Sequence, residues 1–203
     1  SLVEYKTVNV IAKNTKVNEG TLNIIKKVET VELNGEENRL EGQKFNFDVD
    51  ISGTFKYDGN MYEDTTITVP VMDVVPDENR EVAKIIWYGD EAPTYVVREL
   101  DHINAEEVSI TPSSGSFADG QTITVTAINK AKIERGQIEI IKTLKNAELY
   151  PEEEIMKLKF NFLIKVDGYA DSYVTLSPVR ENNSYVWKYV SGYYRWFVGK
   201  NPN

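Results

Sequence analysis

The chain has 203 residues, a net charge of −9 and no cysteine. That length holds one or two ordinary domains, and the acidic balance disfavours nucleic acid and anionic membrane surfaces, whose phosphates repel it. A disulfide framework is excluded, a structural zinc site is not expected around the single His102, and no metal or cofactor is expected.

The longest apolar runs are too short to cross a bilayer, so no membrane insertion is expected. Ser1 opens the chain in mid-pattern with no visible signal peptide, which reads as a mature fragment.

In chain order, strand-like runs dominate. They are "YKTVNVIA" from Tyr5, "TLNIIKKV" from Thr21, "KFNFDVDI" from Lys44, "TTITVPV" from Thr65 and "TYVVREL" from Thr94. "QTITVTAI" from Gln121, "QIEIIKTL" from Gln137, "KFNFLIKV" from Lys159 and "YVWKYV" from Tyr185 follow. Each is rich in β-branched or aromatic residues, and most alternate apolar with polar. Turn chemistry separates them, as in "NGEEN", "KYDGN", "TPSSGSFADG" and "PVRENN". The acidic stretches "VPDENREVA" and "YPEEEIM" read as solvated loops or single helical turns. The expectation is an all-β chain built from sandwiches.

The pattern repeats. "VNVIAKNTKVNEGTLNIIKK" (Val8 to Lys27) aligns with "ITVTAINKAKIERGQIEIIKT" (Ile123 to Thr143). "KFNFDVDISG" matches "KFNFLIKVDG", "TVPV" at Thr68 matches "LSPV" at Leu176, and "WYGDEAPT" at Trp87 matches "WFVGKNPN" at Trp196. The period is that of one sandwich domain, and the chain is cut out of phase with it. Residues 1–15 read as the final strand of a preceding repeat or as a donor strand. Residues 16–131 read as one complete sandwich, and residues 132–203 as an incomplete one lacking its last strands. The connections "KVNE" and "AKIER" are short and polar, which favours a semi-rigid array of neighbouring repeats.

Residues two apart on a strand share a face. Lys26 therefore shares the face of Leu22 and Ile24. Glu99 shares the face of Tyr95 and Val97, and Asn129 that of Ile123, Val125 and Ala127. One amine, one carboxyl and one carboxamide each stand in register with an inward apolar face. The partial repeats follow the same parity, with Lys142 after Ile138 and Ile140, and Asn14 after Val8, Val10 and Ala12. Lys27 falls on the opposite face from Lys26, although a bulge in the strand would exchange the two. Asp48 and Asp50 alternate with Phe47, Val49 and Ile51 and should face outward.

This order of a first-strand Lys in "GTLNIIK", a Glu closing "TYVVRE" and an Asn closing "TITVTAIN" resembles the CnaB-like domains of Gram-positive pilins and surface adhesins. The resemblance implies tandem immunoglobulin-like sandwiches, one complete and two partial. It also implies a spontaneous intramolecular isopeptide bond. In that reading Lys26 is the nucleophile, Asn129 the electrophile and Glu99 the proton shuttle. Burial would disfavour the charged forms of the amine and the carboxyl, and the fold would hold the reacting atoms together. The chain would act on itself once and would not be an enzyme.

Such a module is expected on a cell-wall-anchored, extracellular surface, as a stalk or spacer. The alternative is an adhesin module that binds host matrix or glycan through loops or the aromatic cluster "YVWKYVSGYYRWF". If residues 1–15 serve as a donor strand, head-to-tail self-association is a further expectation; the alternative is a boundary drawn through a longer array. Self-association would set Asn14 against Lys142 across chains, with Glu4 as a substitute acid. His102 beside Asp101 lacks a nucleophile motif, and "DVDISG" and "YDGNMYED" lack the pattern of a calcium loop.

Overall fold

The computed structural model describes residues 11–182 and 184–199. The strands are β1 (Val17–Glu29), β2 (Val31–Leu33), β3 (Glu36–Asn38), β4 (Phe45–Tyr57), β5 (Asn60–Val74) and β6 (Asn79–Tyr88). They continue with β7 (Thr94–Glu99), β8 (Ala105–Thr111), β9 (Ser114–Ser116), β10 (Gln121–Ala131), β11 (Ile133–Gly136) and β12 (Glu139–Thr143). The last are β13 (Phe160–Ile164), β14 (Ser172–Leu176), β15 (Val179–Glu181), β16 (Ser184–Val190) and β17 (Tyr194–Phe197). One helical turn, α1 (Glu152–Ile155), falls in the acidic stretch "YPEEEIM". Its three glutamates face water while Ile155 is buried. The other acidic stretch, "VPDENREVA", holds a turn and the start of β6 instead. The protein is all-β, as its alternation predicts.

The chain divides into two compact units. Among the described residues, the first holds 11–27, 42–101 and 107–128. The second holds 28–41, 102–106 and 129–199.

The first unit carries a sheet ordered β8-β10-β1-β6-β4-β7-β9, with β5 on the other side of β4. β4 pairs with β7 from Phe47 to Ser52 but meets β6 only at Lys56 and Tyr57. That two-residue joint links β8-β10-β1-β6 to β5-β4-β7-β9, and the Lys26–Glu99 contact between β1 and β7 sets the two groups face to face as the layers of a sandwich. Just before it, β4 shifts register against β5 between Gly53 and Phe55. Gly53 adopts φ 127°, a conformation only glycine takes readily. The "DG" of "KYDGN" makes the two-residue turn from β4 to β5, with Asp58 and Gly59 both at positive φ.

The core of this unit is the inward half of each alternating run. Leu22 and Ile24 come from β1, Ala83, Ile85 and Trp87 from β6, and Val125 and Ala127 from β10. Phe45, Phe47, Val49 and Ile51 of β4 and Tyr95 and Val97 of β7 complete it. Each fully buried Val, Leu, Ile or Phe among them contributes roughly 1.5–3 kcal/mol.

The second unit holds the pairs β11-β17, β13-β14 and β2-β3 and the trio β12-β16-β15. Trp187, Ile155 and Leu176 form its buried centre, with Phe160 edge-on to Trp187 at 5.1 Å.

The internal repeat is visible in the strand register. Val17 faces Tyr88, Gly20 faces Ile85 and Asn23 faces Glu81. The counterparts Ile133, Gly136 and Glu139 face Phe197, Tyr194 and Val190. The β1-β6 ladder slips by one residue between Leu22 and Asn23, and in the second unit the offset differs by one between the separate pairs β11-β17 and β12-β16. The match of "TVPV" with "LSPV" does not survive. Pro70 stands within β5 opposite Asp48, whereas Pro178 lies between β14 and β15. β5 pairs only with β4, and an outer strand tolerates a residue without an N–H. In the second unit the chain breaks at its proline and turns back as the β15-β16 hairpin.

Candidate functional site: a buried lysine–glutamate pair

β1 buries every second residue from Asn18 to Lys26, and the pattern ends with Lys26 fully buried and Lys27 exposed. The extra residue of the β1-β6 bulge is Val82, on β6, so β1 itself keeps its parity. The backbone of Lys26 stays engaged at both ends. Its N–H donates to Glu78 O at 3.0 Å, and its carbonyl accepts from the Asp77 N–H at 2.7 Å. The strand therefore aims Lys26, not Lys27, into the core.

Glu99 arrives from the opposite layer. β7 alternates outward Thr94, Val96 and Arg98 with inward Tyr95 and Val97, and Glu99 follows them. It stands opposite Phe47 of β4, and the next N–H, of Leu100, donates to Asn46 O. Lys26 Nζ donates to Glu99 Oε2 at 3.2 Å, with side-chain exposures of 0% and 3%. The Phe45 ring lies 4.1 Å from Nζ and offers its negative face to the amine.

Two opposing influences act on this amine. Burial pushes the Lys26 pKa down, and that dominates. The Glu99 charge and hydrogen bond pull it up, as does the charge of Glu107 on β8. The net direction is downward, toward a neutral amine.

Asn129 is carried by β10, the hydrogen-bonded neighbour of β1. It follows Val125 and Ala127 on their buried face and is itself 1% exposed. All three residues singled out by parity thus face inward. The buried amine and the carboxyl in hydrogen-bond contact with it are two of the groups that amide exchange needs, and Asn129, which falls in the second compact unit, carries a group of the third kind, a carboxamide.

Asp48 and Asp50 do not join the pair. Asp50 binds Arg98 at 2.6 Å and Thr68 at 2.7 Å, on the outward side of β4 and β7. Those two hydrogen bonds hold its carboxyl below the usual range. His102 accepts the Asn104 N–H at Nδ1 within its own loop.

Lys142 occupies the matching place in the second unit. It stands on β12 opposite Trp187, half-buried, with Nζ 4.5 Å from the Phe160 ring. Phe160 opens the second "KFNF" as Phe45 opens the first. The lysine-over-phenylalanine pairing went unnoticed in the sequence, although the two co-repeating motifs were its signal. Ala12 and Asn14 are exposed and lie outside any strand, and Glu4, Val8 and Val10 fall outside the described residues.

The aromatic cluster is divided. Trp187 and Phe197 are buried in the second unit, while Tyr193 is 60% exposed. Trp187 Nε1 donates to Leu158 O at 3.0 Å, which marks it as core. No helix among the described residues is long and apolar enough to cross a membrane.

The chain matches no family model and no curated protein. The case for its chemistry therefore rests on the geometry above.

Proposed function

We propose that residues 16–131 form a self-crosslinking structural module of the CnaB-like kind, one immunoglobulin-like repeat of a tandem array. Lys26 Nζ, as the neutral amine, attacks Cγ of Asn129. Glu99, as the neutral acid, donates to the amide oxygen, takes the proton that Nζ releases and passes a proton to the departing Nδ2. One C–N bond forms, one breaks, and one ammonia leaves. Nothing is oxidised and no cofactor takes part.

The observation that carries this reading is the Lys26–Glu99 contact, sealed from solvent between the two layers of the sandwich. A buried ion pair is poor value for stability alone, since apolar side chains of like size do as well or better. A pair that sets up an amide bond has a further reason to be there.

The bond would join β1 to β10 and close a loop of about a hundred residues. By analogy with a disulfide of that span it adds about 4–5 kcal/mol. Force entering at β1 and leaving at β10 would bypass the rest of the sandwich. That suits a stalk or spacer on the extracellular face of a cell wall, the function we assign.

The direct test is peptide mapping. Digestion of the purified chain should release one branched peptide joining the Lys26 and Asn129 segments, and Glu99→Ala should abolish it. Two separate linear peptides from the parent chain would contradict the reading.

A further inference from the structure

Where the Lys26 amine points is set by the Lys26 backbone, and that backbone rests on a turn. β6 begins at Asn79, opposite Ile25, so the β1-β6 ladder stops one residue short of Lys26. The segment Val75–Glu78, which joins β5 to β6, takes over there. Glu78 O accepts the Lys26 N–H at 3.0 Å, and the Asp77 N–H donates to Lys26 O at 2.7 Å.

The turn has a defined shape. Its Glu78 N–H donates to Val75 O at 3.1 Å, with Pro76 and Asp77 between them. Proline in the second place and a φ of 64° at Asp77 in the third are the marks of a type II turn. Two turn residues, Asp77 and Glu78, oppose the single Lys26, and the first of them is left-handed, as in a bulge built on glycine. Aspartate takes that conformation less readily than glycine, so something else must hold it.

The Glu78 carboxylate does so. Its Oε2 accepts the Val75 N–H at 3.0 Å, which closes the turn on itself. Its Oε1 accepts Arg80 Nε at 2.9 Å and Arg80 Nη2 at 2.6 Å. Arg80 Nη1 then donates to Met72 O at 2.6 Å. The turn is thereby fastened to β5 through Met72 and to β6 through Arg80, which stands opposite Ile24. The Val75 N–H first, and the Arg80 guanidinium after it, hold the Glu78 carboxyl below the usual range, so it is ionised at neutral pH.

We infer that Glu78 and Arg80 are positioning residues for Lys26: they lock the Val75–Glu78 turn, and the locked turn aims the Lys26 amine. The role rests on the bond proposed above, in which Nζ displaces ammonia from Cγ of Asn129. Such a step is sensitive to aim, because a displacement of about 1 Å costs on the order of a hundredfold in rate. Glu78 and Arg80 act through the backbone and take no proton from the reaction.

The rate of bond formation tests this. The full chain is made by cell-free synthesis, synthesis is stopped, and the loss of ammonia is followed by intact mass, with native circular dichroism checked for each variant. Glu78→Ala should slow the loss about tenfold or more, and Arg80→Lys, which keeps the charge and loses the fork, should slow it as well. Asp77→Gly keeps the N–H and suits the left-handed position, so its rate should stay within about twofold of the parent's. A second reading separates aim from general stability. In an Asn129→Ala background, where no bond forms, Glu78→Ala should speed hydrogen exchange at the Lys26 N–H about tenfold or more and leave the Leu22 and Ile24 N–H groups unchanged. Rates unaltered by both Glu78→Ala and Arg80→Lys, or exchange speeded equally along β1, overturn the inference while the bond stands. A parent chain that keeps its full mass at every time overturns the bond, and the positioning role with it.

Discussion

Lys26 and Lys142 end the same motif, and each lies over the phenylalanine that opens a "KFNF" run. The strands that lead to them pair in matching register over Val17–Gly20 and Ile133–Gly136. Yet Lys26 is fully buried against Glu99, while Lys142 remains half-buried on an outer strand. The two places differ in what comes later in the chain. Around Lys26, β7 brings the carboxyl and β10 covers the flank of β1. Local sequence is enough to point a lysine inward. Sealing it and giving it a carboxyl partner takes strands that are distant in sequence.

Changes to Lys26's surroundings should therefore move stability far more than changes to Lys142's. The largest effect is expected from Glu99→Ala. It removes the proton shuttle and leaves the buried amine without its carboxylate, a defect of about 3–5 kcal/mol, in addition to the lost crosslink. Urea unfolding should show both, and a loss under 1 kcal/mol or so would mean the pair is idle.

Asn129→Ala comes next. It removes the electrophile and keeps the Lys26–Glu99 pair, so the loss should approach the crosslink alone, about 4–5 kcal/mol. It also leaves Lys26 titratable. The folded-state pKa of Lys26 is lowered from 10.5, so between that lowered value and 10.5 the unfolded chain binds more protons. Stability of Asn129→Ala should rise with pH through that window and be lowest below it. The parent chain, with Lys26 converted to an amide, should lack this slope. Denaturation at stepped pH, with Lys26→Met as the blank, separates the two.

Lys142→Met should do least. Its amine is half-buried on an outer strand, and the exchange should shift the stability of the second unit by about 1 kcal/mol or less. A loss as large as that of Asn129→Ala would mean that the two lysines are equivalent after all.

Much of this contrast was legible in the sequence. Parity alone placed Leu22, Ile24 and Lys26 on one face and Tyr95, Val97 and Glu99 on another, because a strand's period of two leaves no other choice. The turns "NG" and "DG" marked the β2-β3 and β4-β5 hairpins. Parity chose Lys26 over Lys27 and left open only a bulge on β1; the bulge lies on β6, at Val82. β8 was missed because it is an outer strand whose "AEEVSIT" puts two glutamates and a valine in exposed positions. Edge strands commonly carry such charge. The close approach of Phe117 over Gly20 was also hidden, because it is a property of packing between segments far apart in the chain.

The central claim is that Lys26 and Asn129 are joined, and the intact mass of the purified, unfolded 203-residue chain tests it most directly. The account predicts a mass below the sequence mass by one ammonia, returning to the full value in Lys26→Met and Asn129→Ala after correction for the substituted side chains and unaffected by Lys142→Met. A parent chain at its full sequence mass would contradict it, leaving the Lys26–Glu99 pair as an ordinary buried ion pair.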